Sequence, residues 1–193
     1  MIRELAEKNR SYRGYDETVR LTKEELLDFV DCARVCASSV NLQPLKYFLA
    51  WEKETVDKIQ AETHWAKALP ELSLPHPGKC PTAFIVICDD KRIAPNPDRF
   101  RADEGIVAQT MLLRAVEMGY GGCMIGNFRP ERLSAVLDLP EYIFPMLIVA
   151  FGKPDETVVL TEAQPGDDVH YYRDEDDVHY VPKRTVGELV LNG

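Results

Sequence analysis

Ala83-Phe84-Ile85-Val86-Ile87-Cys88 is a short, unbroken apolar run. A run of this length without polar alternation predicts a central strand covered on both faces. Pro145 to Phe151 reads as a second buried strand and Lys46 to Trp51 as a third. Helices are signalled around them. Thr22 with Glu25 forms a capping box, and Leu26, Phe29, Val30 and Ala33 follow at helical spacing, so a helix is predicted from there to about Ala37. Thr55 to Ala66 reads as a second helix, with Val56, Ile59 and Ala66 on its apolar side. Asp103 is placed to cap a helix from Glu104 to Met118, with Gly119 as its stop, and Pro130 opens a short helix to about Leu137. Pro70, Pro75, Pro77 and Pro81 with Gly78 mark a long loop, and Pro95 and Pro97 another. The first predicted helix precedes every strand, and no G-x-G-x-x-G follows a strand. The expectation is an α+β layer architecture rather than a dinucleotide-binding fold. No linker or composition shift divides residues 1–193, so a single domain is expected.

The 193 residues carry a formal net charge of -9. That argues against a nucleic-acid partner and makes local basic clusters stand out. No apolar run approaches the roughly 20 residues that span a bilayer, and the start Met1-Ile2-Arg3-Glu4-Leu5 is too polar for a secretory signal. A cytoplasmic protein with no membrane partner is expected. The five cysteines contain no C-x-x-C pair and read as reduced, largely buried thiols. The four histidines show no metal-ligand spacing, so no metal is expected. Asp167-Asp168-Val169-His170-Tyr171 recurs as Asp176-Asp177-Val178-His179-Tyr180, which predicts a hairpin or two extended arms.

Four polar or glycine-rich clusters carry chemical meaning. Arg10, Ser11 and Arg13 offer two guanidinium forks around a hydroxyl, which suits a phosphate dianion. Lys183 and Arg184 form a similar basic pair near the end of the chain. Ser38, Ser39, Asn41 and Gln43 present hydroxyls and amides that suit a ribityl chain or the polar edge of an isoalloxazine. Gly119, Gly121 and Gly122 allow backbone to approach a flat ligand. Each cluster has a plainer reading when taken alone. The basic groups read equally as solvated surface, the Ser/Asn cluster as helix-end turn chemistry, and Gly119 as a helix stop. Cys123, beside the glycines, reads as a small buried residue or, less economically, as a reactive thiol.

In order along the chain, these clusters resemble the FMN-dependent nitroreductase family. The matching pieces are Arg10-Ser11-x-Arg13, Ala37-Ser38-Ser39-Val40-Asn41-Leu42-Gln43-Pro44, and Asp103-x-Gly105-Ile106-Val107-Ala108-Gln109 leading to Gly119-Tyr120-Gly121-Gly122-Cys123. Phe151-Gly152-Lys153-Pro154 and Tyr180-Val181-Pro182-Lys183-Arg184 complete them. The resemblance implies a mainly antiparallel central sheet flanked by helices, in an intertwined homodimer with an extended C-terminal arm around the partner. It implies FMN at the subunit interface, with Arg10, Ser11, Arg13, Lys183 and Arg184 around its phosphate. Ser38, Ser39, Asn41 and Gln43 would come from the partner subunit, and Gly121 and Gly122 would lie against the ring. It also implies ping-pong hydride transfer from NADH or NADPH, through flavin N5, to a nitroaromatic, quinone or related small-molecule electron acceptor. No side chain is assigned as a catalytic acid or base, because the cofactor carries the reactivity.

The chain departs from the family pattern in places. It is compact, and Leu45 stands where the family often has an aromatic after Gln-Pro. Substrate lids in the family usually fall in the segments that correspond to 70–79 and 91–101. Two rival readings use the same scaffold: an FMN-binding, storage or regulatory protein without nicotinamide turnover, and a flavin-destroying or dehalogenating enzyme.

Overall fold

The computed structural model describes residues 1–192; Gly193, the last residue of the expected domain, lies outside them. The chain opens with helix α1 (Ile2–Lys8), which buries none of its side chains. With no apolar stripe, α1 leaves no periodic mark in the sequence. A short strand β1 (Tyr15–Asp16) leads to α2 (Lys23–Arg34). Thr22 caps α2 with Glu25 in a reciprocal capping box, and Leu26, Phe29 and Ala33 are buried. The helix stops three residues before the expected Ala37, since the following segment is drawn into a turn described below.

Strand β2 (Leu45–Ala50), helix α3 (Lys53–Glu62) and strand β3 (Ala83–Asp90) follow. Ala66 lies beyond α3, at φ 44°. All eight residues of β3 are buried. Its alternation serves two cores. Ile85 and Ile87 join Val149 and Phe151 under α2 and α4 (Arg101–Glu117), while Phe84, Val86 and Cys88 join Ile148 and Ala150 on the opposite face. Phe29 packs its ring 5.0 Å from that of Phe151. Helix α4 starts at Arg101, earlier than Asp103 predicted, so Asp103 sits in the first turn and its carboxylate is free for another task. Gly119 stops α4 at φ 84°, as a helix-ending glycine does.

Strand β4 (Gly121–Ile125), helix α5 (Pro130–Val136) and the long strand β5 (Ile143–Pro154) complete the main sheet. Its backbone order is β1-β5-β3-β2, and β4 also pairs with β5. Every pairing in it is antiparallel. A second sheet is built from β6 (Val158–Ala163), β7 (Tyr172–Arg173) and β8 (His179–Arg184) in the order β6-β8-β7. The first copy of the acidic repeat leads into β7 and the second runs through the turn around Asp174 and Asp177 into β8, so the two flank a β7–β8 hairpin, with β8 parallel to β6. A short helix α6 (Val186–Leu189) ends the described chain. Among the described residues, no helix is long and apolar enough to cross a membrane.

Candidate functional site

The first basic cluster is placed by backbone pairing. Segment 10–13 lies along β4: Ser11 bridges Gly122 in parallel, and Tyr12 N donates to Gly122 O at 3.1 Å. Two aromatic rings press this segment onto the sheet. Tyr12 sits over Gly121, where an added Cβ would lie 2.5 Å from the ring; Tyr15 sits over Gly152, with a corresponding distance of 2.6 Å. A Cβ on Gly122 would lie 2.2 Å from Ala150 O. These glycines therefore let the segment and the strands close up, and the backbone of Gly122 is what reaches the adjoining cavity.

That cavity has a volume of about 390 Å³, within the range of small-molecule sites. Arg10, Ser11, Arg13 and Gly122 line it from the core of the chain, and Lys183 reaches it from β8. The amides Asn9 and Gln109 and the side chains of Tyr171 and His179 complete much of its wall. Four of its residues, Arg13, Cys123, Met124 and Tyr171, also line a smaller cavity that runs on along β4 to Gly126 and Asn127. His64, Trp65 and Lys67 form the far wall, so the two make one groove.

One end of the groove is cationic. Among the described residues, none of Arg10, Arg13 and Lys183 has a carboxylate partner within ion-pair distance. Arg10 is half-buried, its Nε is buried without a partner, and desolvation lowers its pKa from the ordinary value. Arg13 is only 8% exposed. Its Nη1 donates to Ser11 O at 3.1 Å and to His179 Nε2 at 3.1 Å, and its guanidinium lies 4.8 Å from the Tyr171 ring centre. Cys123 is buried, and burial pushes its thiol up to about 11, so it stays protonated near neutrality and the reactive-thiol reading loses its basis.

The Ser38–Gln43 cluster is not in this groove. Ser38 and Gln43 line a different cavity of about 220 Å³, with Cys36, Tyr47, Asp103 and Val107, and the two share no residue. The turn holding them is strained: Val40, Asn41 and Gln43 adopt φ of 49°, 55° and 53°. Asp103, 4% exposed, holds it in place. Its carboxylate accepts from Ser38 Oγ at 2.6 Å and from Ser39 N at 3.2 Å, and Ser38 Oγ in turn accepts from Gln43 N at 3.0 Å. The Gln43 amide donates to Asn41. Arg184 is absent from the groove wall and instead pairs with Glu188.

The chain therefore brings Arg10, Ser11, Arg13, Gly122 and Lys183 together and leaves Ser38, Ser39, Asn41 and Gln43 as a separate polar surface. Sequence reasoning missed His64, Trp65, Lys67, Tyr171 and His179 as wall residues. Its one available sign was the repeat, which delivers Tyr171 from one copy and His179 from the other.

A cationic pocket thus opens into a groove walled in part by Trp65 and Tyr171, on an antiparallel sheet with helices on both faces. The chain belongs to the nitroreductase family, whose model matches residues 6–153. A Cr(VI) reductase of Pseudomonas sp. (strain G-1) is 28% identical over 167 residues, covering 80% of this chain and 67% of its own length. A protein of Methanothermobacter thermautotrophicus, provisionally named NADH dehydrogenase/NAD(P)H nitroreductase, is 27% identical over 174 residues, covering 88% of this chain and 85% of its own. The solved structure of an FMN-dependent nitroreductase from Clostridium difficile R20291 is 25% identical, with a TM-score of 0.65 over 81% of this chain and 88% of that one. The matched residues stop before Tyr171, His179 and Lys183.

Proposed function

We propose that this chain is an FMN-dependent oxidoreductase that passes hydride from NADH or NADPH to nitroaromatic, quinone or related electrophilic acceptors in a ping-pong cycle. The observation that carries the reading is the groove. Among the described residues, its cationic end holds Arg10, Arg13 and Lys183 without a carboxylate in ion-pair reach, in a protein of net charge -9. A phosphate dianion fits there by charge and by donor geometry. The buried, unpartnered Arg10 Nε supports the same fit, since a buried donor without an acceptor is costly. Beyond Arg13 the groove offers Trp65, Tyr171 and Met124, surfaces suited to a planar ring, and the polar Lys67 and Asn127. When bound, FMN would supply the two-electron chemistry. Arg10, Ser11, Arg13 and Lys183 would hold its phosphate, and the backbone of Gly122 and the wall along β4 would orient it and limit water.

The reading includes a homodimer. Val35, 70% exposed, precedes the Ser38–Gln43 turn, Val40 (74% exposed) and Leu42 project from it, and Ile106 is also exposed. An exposed apolar rim around a strained polar turn suits a subunit interface. There, Ser38, Ser39, Asn41 and Gln43 would face the groove of a second copy. The test is a visible absorption spectrum of the purified protein with FMN, before and after anaerobic NADH or NADPH. A flavin band that bleaches is expected. Failure to retain FMN would overturn the reading; a retained band that no nicotinamide bleaches would leave an FMN-binding protein without turnover.

A further inference from the structure

The acidic repeat lies beyond residues 6–153, which the family model matches. Its two copies nevertheless meet at one residue of the groove. Tyr171, from the first copy, covers the Arg13 guanidinium at 4.8 Å. His179, from the second, is 1% exposed and receives the Arg13 Nη1 hydrogen at 3.1 Å. The Tyr171 and His179 rings lie 5.2 Å apart, so the two hold each other. A guanidinium only donates, so His179 Nε2 is the acceptor and the neutral ring carries its proton on Nδ1. Burial first, then the charges of Arg13 and Arg173, pushes His179 down to about 4, which keeps it neutral near pH 7.

Carboxylates stand close by and are kept occupied. Glu156 accepts from the backbone N of Arg13 at 2.6 Å, yet its other oxygen is paired with Arg173. Arg173 also takes Asp177 at 2.8 Å. In this way the C-terminal sheet supplies its own cation for its acids, and presents Arg13 with a neutral acceptor and an aromatic face.

We propose that His179 and Tyr171 are positioning residues that fix Arg13 without neutralising it, and thereby make the groove discriminate a phosphomonoester from the same molecule lacking its phosphate. The proposal rests on the flavin reading above. FMN and riboflavin differ by that phosphate alone, so the ratio of their dissociation constants reads it directly. A merely structural role would weaken both ligands together.

The experiment measures both constants by flavin fluorescence for the full chain and three variants. His179→Asp places a carboxylate on Arg13 and is expected to lower the preference for FMN by about tenfold or more, the scale of one charge-assisted bond. The riboflavin constant should stay unchanged. His179→Gln, which restores a neutral acceptor, should keep the preference within about threefold of the parent. His179→Leu, neutral but unable to accept, should lower it, and serves alone if the Asp variant does not fold. An unchanged ratio in folded Asp and Leu variants overturns the proposal. Parent protein that binds neither flavin overturns the functional reading instead.

Discussion

Arg10→Ala is expected to weaken FMN binding by about 1.5–3 kcal/mol, the scale of a lost charge-assisted hydrogen bond. Equilibrium titration with FMN checks it, and an unchanged constant removes Arg10 from the site. Asp89 gives a second prediction at this scale. It is 1% exposed, and neither carboxylate oxygen has a partner among the described residues. Desolvation first, then the neighbouring Asp90, raises its pKa. A carboxyl with a raised folded-state pKa favours the folded chain most when protonated. Its contribution is complete below the ordinary value of 3.8 and is lost as pH rises through the folded value. Asp89→Asn should therefore stabilise the protein at pH 7 and flatten this part of the pH dependence, as followed by urea unfolding at several pH values. Legibility at this scale depended on sequence distance. Arg10, Ser11 and Arg13 are adjacent and could be read together. His179 could not be told from His170, since the repeat gives both the same neighbours. Only the fold shows His170 exposed beside Asp168 and His179 sealed against Arg13.

Among the elements, β4 is the one most constrained by what it lacks. Gly122→Ala would put a methyl 2.2 Å from Ala150 O and 2.6 Å from Leu112, against backbone that pairs β4 with β5. A loss of about 1–3 kcal/mol or more is expected, as for overpacking elsewhere. Denaturant unfolding tests it, and a variant as stable as the parent would show that the strand can shift. Strands β3 and β5 and helix α2 were plain in the sequence because burial and capping write themselves into residue type. The start of α4 was misread for an instructive reason. Asp103 has the chemistry of a cap, but its carboxylate holds the Ser38–Ser39 turn, and the helix begins without it. The same side chain served two plausible local purposes, and tertiary contacts chose between them.

At the scale of the whole molecule, the family layers were legible from motif order, whereas of the second sheet only the β7–β8 hairpin was marked, by the repeat. The sheet's strands are short, and β8 finds its parallel neighbour β6 only through a chain reversal that no periodicity marks. The C-terminal sheet reaches Arg13 of its own chain through His179 and Tyr171. The cationic groove and the Asp103-held turn occupy separate walls of the same chain, with α4 contributing to both: Asp103 and Val107 to one, Gln109 and Leu112 to the other. In the proposed homodimer this separation makes the two defects mutually forgiving. A chain carrying Arg10→Ala and a chain carrying Asp103→Ala would each assemble two damaged sites with its own kind. Co-expressed, they would form mixed pairs in which one site inherits both injuries and the other inherits none. Recovery of flavin binding on mixing, at up to half a site per chain in the mixed pair, would be intersubunit complementation; no recovery would place the complete site within a single chain.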